Sequence, residues 1–124
     1  MKEVWLVFLG GGLGSAARFL IASAVQRNGA VQFPYGTIAV NVAGCFLIGF
    51  LMALVTHRFI ANSDLRLFVT IGILGGFTTF SSFTLETLEL FRAGHTTGAI
   101  ANIFLTVIVC LTATWLGAII GEQV

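Results

Sequence analysis

The polar chemistry of this chain is concentrated in residues 75–87, which read GGFTTFSSFTLET. Hydroxyl groups donate hydrogen bonds to anions, and the edge of a phenyl ring carries partial positive charge. Two adjacent glycines favour a break in a helix, and a break frees backbone carbonyls that suit a small cation. The side chains concerned are Thr78, Thr79, Phe80, Ser81, Ser82, Phe83, Thr84, Glu86 and Thr87.

The rest of the chain is mostly apolar. Of its 124 residues, 57% are hydrophobic and only 9% are charged, whereas about a quarter of the residues in a soluble domain are charged. A helix that spans a bilayer needs roughly 20 mostly apolar residues. The sequence therefore predicts an all-α, multi-pass membrane protein with a single four-helix domain over residues 1–124. The predicted spans are 4–25, 35–56, 67–91 and 97–120.

The polar stretch lies in the middle of the third predicted span. Thr79 is near the centre of residues 67–91, and unsatisfied backbone at that depth costs several kcal/mol per group. We therefore predict a third helix that is broken near the bilayer midplane around a binding site. Phe80, Phe83 and Thr87 share one helical face beyond the break, and weak, serial contacts of this kind suit conduction.

Each of these residues also has a purely structural interpretation. The chain has 12 phenylalanines, and most such rings pack against helices or lipid. Asn41, in GTIAVNVAG of the second span, either donates its amide to an ion or bridges two helices. Glu86 needs water or a partner at this depth, and Arg18 either extends towards the interface or pairs inside the assembly.

Several other functions are disfavoured. The net charge is +1 and there is no basic run, so we expect no nucleic-acid partner. The histidines and serines form no recognisable catalytic or zinc constellation, so we expect no enzyme. Cys45 and Cys110 are predicted to be free, isolated and buried. The first apolar stretch continues past any cleavage site, which predicts a retained span and not a signal peptide.

The charges flanking the spans barely specify an orientation. One side carries Lys2, Arg58 and Arg66, and the other carries Arg27 and Arg92. An excess of basic residues normally marks the cytoplasmic side, and three against two is a weak signal. Two interpretations remain open: one weakly biased orientation, or insertion in both orientations followed by antiparallel pairing of identical chains.

Three segments together resemble the Fluc (CrcB) family of bacterial fluoride channels. They are LGSAARF in the first span, GTIAVNVAGCFLIG in the second and GGFTTFSSFTLET in the third, in the order and spacing of that family. The resemblance implies a fluoride-specific channel of the bacterial inner membrane that passively exports fluoride from the cytoplasm. It also implies an antiparallel homodimer with dual topology.

The resemblance further implies roles for individual residues. The backbone carbonyls of Gly75 and Thr78, from both subunits, are expected to hold a structural, non-transported sodium ion at the dimer centre. Phe80 and Phe83 are expected to line the fluoride pore, and Asn41 to be its second-helix asparagine. Further polar pore-lining groups are expected at Thr37, Ser81, Ser82, Glu86 and Asn102.

Two rival functions remain. A small proton-coupled drug exporter also has four spans per chain, and Glu86 is the deep carboxylate that it would use. The other rival is a non-transporting assembly subunit, in which the hydroxyls of the third span serve only helix packing.

Overall fold

A computed structural model describes residues 1–28, 32–58 and 62–124. These residues are helical wherever they have regular structure. The elements are α1 (Lys2–Asn28), α2 (Tyr35–Arg58), α3 (Ser63–Arg66), a π-helical segment (Leu67–Leu74), α4 (Gly75–Phe77), α5 (Phe80–Arg92) and α6 (Thr96–Gln123).

Four parts of the described chain are long and apolar enough to cross a membrane. Large apolar side chains lie on their outer surfaces, where Phe8 is 67% exposed and Leu111 68% exposed. Such exposure suits lipid and not water. The prediction of an all-helical, four-span, multi-pass membrane protein is therefore confirmed. The spans are Lys2–Arg27, Tyr35–Thr56, Ser63–Arg92 and Thr96–Gln123.

The third span is irregular in two places. Its first part, Leu67–Leu74, is π-helical, a conformation that is rare and frequent at functional sites. Thr78 (φ −88°, ψ 157°) and Thr79 (φ −151°, ψ 119°) are then extended. Helical backbone resumes at Phe80, so the extended pair changes the path of the chain between α4 and α5.

Helix α1 packs directly on the backbone of the third span. A Cβ atom added to Gly10 would lie 2.6 Å from the Phe68 carbonyl oxygen and 2.9 Å from Gly72 Cα. One added to Gly76 would lie 2.5 Å from the Gly11 carbonyl oxygen. Any side chain at Gly10 or Gly76 would thus separate the two backbones, and these glycines serve packing within the chain.

Helices α2 and α6 are similarly close. A Cβ atom on Gly121 would lie 2.6 Å from the Phe50 carbonyl oxygen, and one on Gly117 would collide with the Phe46 carbonyl oxygen. Because residue numbers rise in the same direction along both helices, α2 and α6 run parallel. This pair supports α5, where Glu86 accepts a hydrogen bond from Thr37 of α2 and Thr87 accepts one from Asn102 of α6.

A glycine turn joins α5 to α6. Gly94 has φ of +79°, in the left-handed region that glycine adopts without strain. The Gly94 N–H donates to the Phe91 carbonyl over 3.1 Å, and the His95 N–H donates to the Leu90 carbonyl over 2.9 Å. These bonds satisfy the end of α5 and return the chain sharply into α6.

Candidate functional site

Asn41 binds both backbone groups of Thr79. Its Nδ2 donates to the Thr79 carbonyl over 2.9 Å, and its Oδ1 accepts the Thr79 N–H over 2.8 Å. Both residues are buried. A buried, unpaired backbone group costs about 1–3 kcal/mol. The Asn41 amide pairs both groups and so stabilises the extended backbone inside the protein. In this structure Asn41 therefore bridges α2 and the third span.

Because Thr78 and Thr79 are extended, two N–H groups that would bind carbonyls in a continuous helix bind other acceptors. In a continuous helix the Thr79 N–H would bind the Gly75 carbonyl, and the Ser82 N–H would bind the Thr78 carbonyl. Here Thr79 N–H donates to Asn41 and Ser82 N–H donates to Thr79 Oγ1. The carbonyls of Gly75 and Thr78 thus lose their usual helical donors, which leaves hard oxygen ligands at the end of α4.

The surroundings of these carbonyls are open and polar. Gly75 is exposed, and a Cβ atom added to it would meet nothing within 4 Å. Arg18 Nη1 donates to the Thr78 carbonyl oxygen over 3.5 Å, so Arg18 pairs inside the protein. A carbonyl oxygen has two lone pairs, and the Thr78 oxygen keeps acceptor capacity for a second partner such as a small cation.

A cluster of hydroxyl groups begins α5. Thr79 Oγ1 caps the helix by accepting the Ser82 N–H over 3.1 Å. The same oxygen lies 3.2 Å from Ser81 Oγ and 3.1 Å from Ser82 Oγ. Ser81 is exposed and Ser82 is partly buried. Their hydroxyl groups can rotate, so the cluster can turn O–H donors towards an approaching anion.

The two phenylalanines of α5 adjoin each other but differ in exposure. Their ring centroids are 5.4 Å apart, with planes inclined by 46°. Phe83 is 6% exposed, whereas Phe80 is 73% exposed. The pair therefore extends from the outer surface of the chain, at Phe80, to its interior, at Phe83. Each ring has an edge with partial positive charge.

Asn102 lies in a separate buried network. It is fully buried, and its Nδ2 donates to Thr87 Oγ1 over 2.9 Å. Thr106 Oγ1 donates to Asn102 Oδ1 over 3.2 Å, and Thr87 Oγ1 donates to the Phe83 carbonyl over 2.7 Å. The Asn102 amide therefore ties α6 to α5 through Thr87.

Thr37 and Glu86 meet at one end of the molecule. Thr37 Oγ1 donates to Glu86 Oε1 over 2.7 Å. The other carboxylate oxygen, Oε2, is buried, and no hydrogen-bond partner for it is found among the described residues. The pair borders a cavity of about 500 Å³ that is large enough for water. Other polar residues that line the cavity include Gln26, Glu89 and His95.

The predicted polar side chains of the pore thus fall into three groups. Asn41, Ser81 and Ser82 gather around Thr79, Thr37 pairs with Glu86, and Asn102 lies apart in the interior. Sequence reasoning missed the central position of Thr79 and the part played by Thr106. The spacing of Thr106, four residues after Asn102, was a signal that the two side chains share a helix face.

This arrangement defines a class of protein. The described residues contain no group of three or more His, Cys, Asp or Glu side chains that could hold a metal ion. Several of their polar side chains instead border the extended residues Thr78 and Thr79 of the third span, and irregular backbone of this kind occurs in proteins that pass small solutes. Residues 5–118 match the family model described as CrcB-like protein, Camphor Resistance (CrcB). The chain belongs to this family, whose members are ion channels and not enzymes.

Similar proteins extend over almost the whole chain. One from Methylocella silvestris is 47% identical, over 100% of this chain and 95% of the relative. One from Coxiella burnetii is 43% identical, over 98% of each chain. One from Phocaeicola vulgatus is 43% identical, over 98% of this chain and 100% of the relative. Each is named a fluoride-specific ion channel FluC. The predicted family and the predicted absence of enzymatic activity are confirmed.

Proposed function

We propose that this chain is a fluoride-specific channel that passively exports fluoride from the cytoplasm and so relieves fluoride toxicity. The observation that carries the proposal is that Asn41, the α5 hydroxyl groups and the Phe80–Phe83 pair lie around the extended residue Thr79. We call this region the Thr79 junction. The names of relatives with 43–47% identity support fluoride as the ion.

Fluoride passes through a series of weak contacts in this proposal. The ion sheds part of its water and meets the Ser81 and Ser82 hydroxyls, the Asn41 amide and the edges of the two phenyl rings. Binding that is weak and spread over several sites allows the ion both to enter and to leave. Thr37 and Glu86 border the aqueous entrance, and Asn102 supports the route by holding Thr87 beside Phe83.

The direction of transport follows from the chemistry of fluoride. At acidic external pH, fluoride enters a bacterium as the neutral acid and ionises at the higher internal pH. A membrane potential that is negative inside then drives the anion outward across the inner membrane, since each elementary charge experiences about 2.3 kcal/mol per 100 mV. A passive pore is sufficient, and no energy-coupling site is required.

We further propose that the working channel is an antiparallel homodimer with dual topology. Phe80 is 73% exposed and Gly75 is open on one side, so the route is incomplete within one chain. A second chain in the opposite orientation would cover both residues, with the two third-span breaks meeting near the bilayer midplane. The near-equal basic charge on the two sides supports insertion in both orientations.

A structural sodium ion at the centre of this dimer completes the proposal. The carbonyls of Gly75 and Thr78 from both subunits would hold it, since oxygen ligands suit a small hard cation. The ion would stabilise the two breaks and would not be transported. The Thr79 N–H and Ser82 N–H donate to side chains and not to these two carbonyls. The carbonyls therefore keep acceptor capacity for a cation, which supports this assignment.

Sodium removal tests the cation site directly. We expect replacement of sodium by N-methyl-D-glucamine to weaken the purified dimer and to slow fluoride release, because the larger organic cation does not fit between four carbonyls. Cross-linking yield and fluoride flux should both recover when sodium is restored. Unchanged dimerisation and flux after exhaustive sodium removal would contradict the site.

Fluoride efflux from liposomes tests the function. Purified protein in potassium fluoride-loaded liposomes should release fluoride rapidly, as followed with a fluoride electrode, when valinomycin balances the charge. Matched potassium chloride-loaded liposomes should retain chloride. Absence of fluoride release would refute the channel. Proton-driven uptake of a cationic dye, lost in Glu86→Gln, would then identify a drug exporter.

A further inference from the structure

Cys45 and Cys110 lie one helical turn before a close contact between α2 and α6. A Cβ atom on Gly49 would collide with the Thr114 carbonyl oxygen, so the two backbones touch at this level. Cys45 is four residues before Gly49, and Cys110 is four residues before Thr114. Because α2 and α6 run parallel, moving one turn back along both helices brings the two cysteines opposite each other.

The two thiols are neighbours in this arrangement. Both cysteines are free and partly exposed. Sequence reasoning treated them as isolated, because the pairing depends on the parallel register of α2 and α6. Two adjacent, accessible thiols are a potential ligand pair, and the conduction route proposed above does not use them.

We propose that Cys45 and Cys110 form a two-coordinate binding site for a soft divalent cation, with mercury(II) as the probe. Each thiol loses its proton and its sulfur forms one bond to the metal. The balanced step takes one Hg²⁺ and two thiols to one S–Hg–S bridge and two released protons, and no electron is transferred. The product is neutral, which favours it inside an apolar span where net charge is costly.

The surroundings select against metals that need more ligands. Structural zinc sites have four protein ligands in a tetrahedron. Across residues 1–28, 32–58 and 62–124, no third His, Cys, Asp or Glu joins the pair. Soft thiolate ligands favour soft metals, and a linear two-coordinate ion needs only the two sulfurs. The bridge would link α2 to α6 one helical turn before the level of Gly49 and Thr114, where their backbones touch.

Direct binding of mercury(II) to the intact protein in detergent tests this site. We expect one mercury ion per chain by elemental analysis, with both thiols protected from iodoacetamide together. Cys45→Ser and Cys110→Ser should each weaken binding by more than about 100-fold, because even outer-shell changes at metal sites cost about 10–100-fold. Size-exclusion elution at the wild-type position will establish folding.

Two results would overturn the proposal. One is two mercury ions per chain, with the thiols protected independently; the other is wild-type affinity in either folded serine variant. The stoichiometry and protection of the wild type decide the question even where a variant fails to fold. Because binding is measured without ion flux, its failure is distinguishable from failure of the fluoride channel.

Discussion

Replacing Asn41 with leucine should abolish fluoride release and markedly destabilise the protein. Leucine has similar bulk but neither donates to the Thr79 carbonyl nor accepts the Thr79 N–H, two bonds of 2.9 and 2.8 Å in the native protein. Each buried backbone group left unpaired costs about 1–3 kcal/mol, so the loss should be roughly 2–6 kcal/mol. The extended backbone at Thr79 would no longer hold its conformation.

Thermal unfolding in detergent and fluoride efflux from liposomes measure the two effects. Thr112→Val is a matched control, since the exposed Thr112 hydroxyl donates only to the Ile108 carbonyl of its own helix, over 2.8 Å. The control should change stability by less than about 0.5 kcal/mol and conduct normally. Asn41→Leu protein with wild-type stability and flux would show that the Thr79 junction does not depend on the amide.

Phe83→Ile should suppress fluoride release while leaving the fold intact. Isoleucine retains apolar volume in a site that is 6% exposed but lacks the positive ring edge that we propose contacts the ion. Each 1.36 kcal/mol added to a barrier slows passage tenfold, so loss of one ring contact should reduce flux by at least about tenfold. The initial rate of electrode-detected efflux measures this loss.

Phe19→Ile provides the comparison for this variant. Phe19 is 70% exposed on α1, remote in sequence from the α5 pair, and its replacement should leave flux unchanged. Both variants should elute at the wild-type position on size exclusion. Equal flux in Phe83→Ile and Phe19→Ile would remove Phe83 from the conduction route and leave its ring a packing role.

The four spans were predictable because membrane insertion depends mainly on local composition. Each predicted stretch lies within a described span. The position of the extended residues was harder to predict, since Gly75 and Gly76 are helical and the extended pair is Thr78 and Thr79. Asn41 stabilises that pair from another helix, and a contact between helices cannot be deduced from the residues of either helix alone.

The sequence predicted which residue types the candidate site contains better than it predicted how those residues are arranged. Residue types and spacing predicted the α5 hydroxyls and Phe83 as site residues. The full burial of Asn102, with its bonds to Thr87 and Thr106, was not predicted. The meeting of Cys45 with Cys110 likewise depends on the register of α2 against α6. Such contacts arise from helix packing, which a single sequence specifies only weakly.

The extended pair Thr78–Thr79 has an electrostatic consequence. A helical run ends at Phe77 and another begins at Phe80, so a helix C-terminus and a helix N-terminus lie two residues apart. Helix macrodipoles place roughly half a negative charge at the first end and half a positive charge at the second. One interruption can thus favour a cation on one side and an anion on the other, through peptide dipoles that do not titrate.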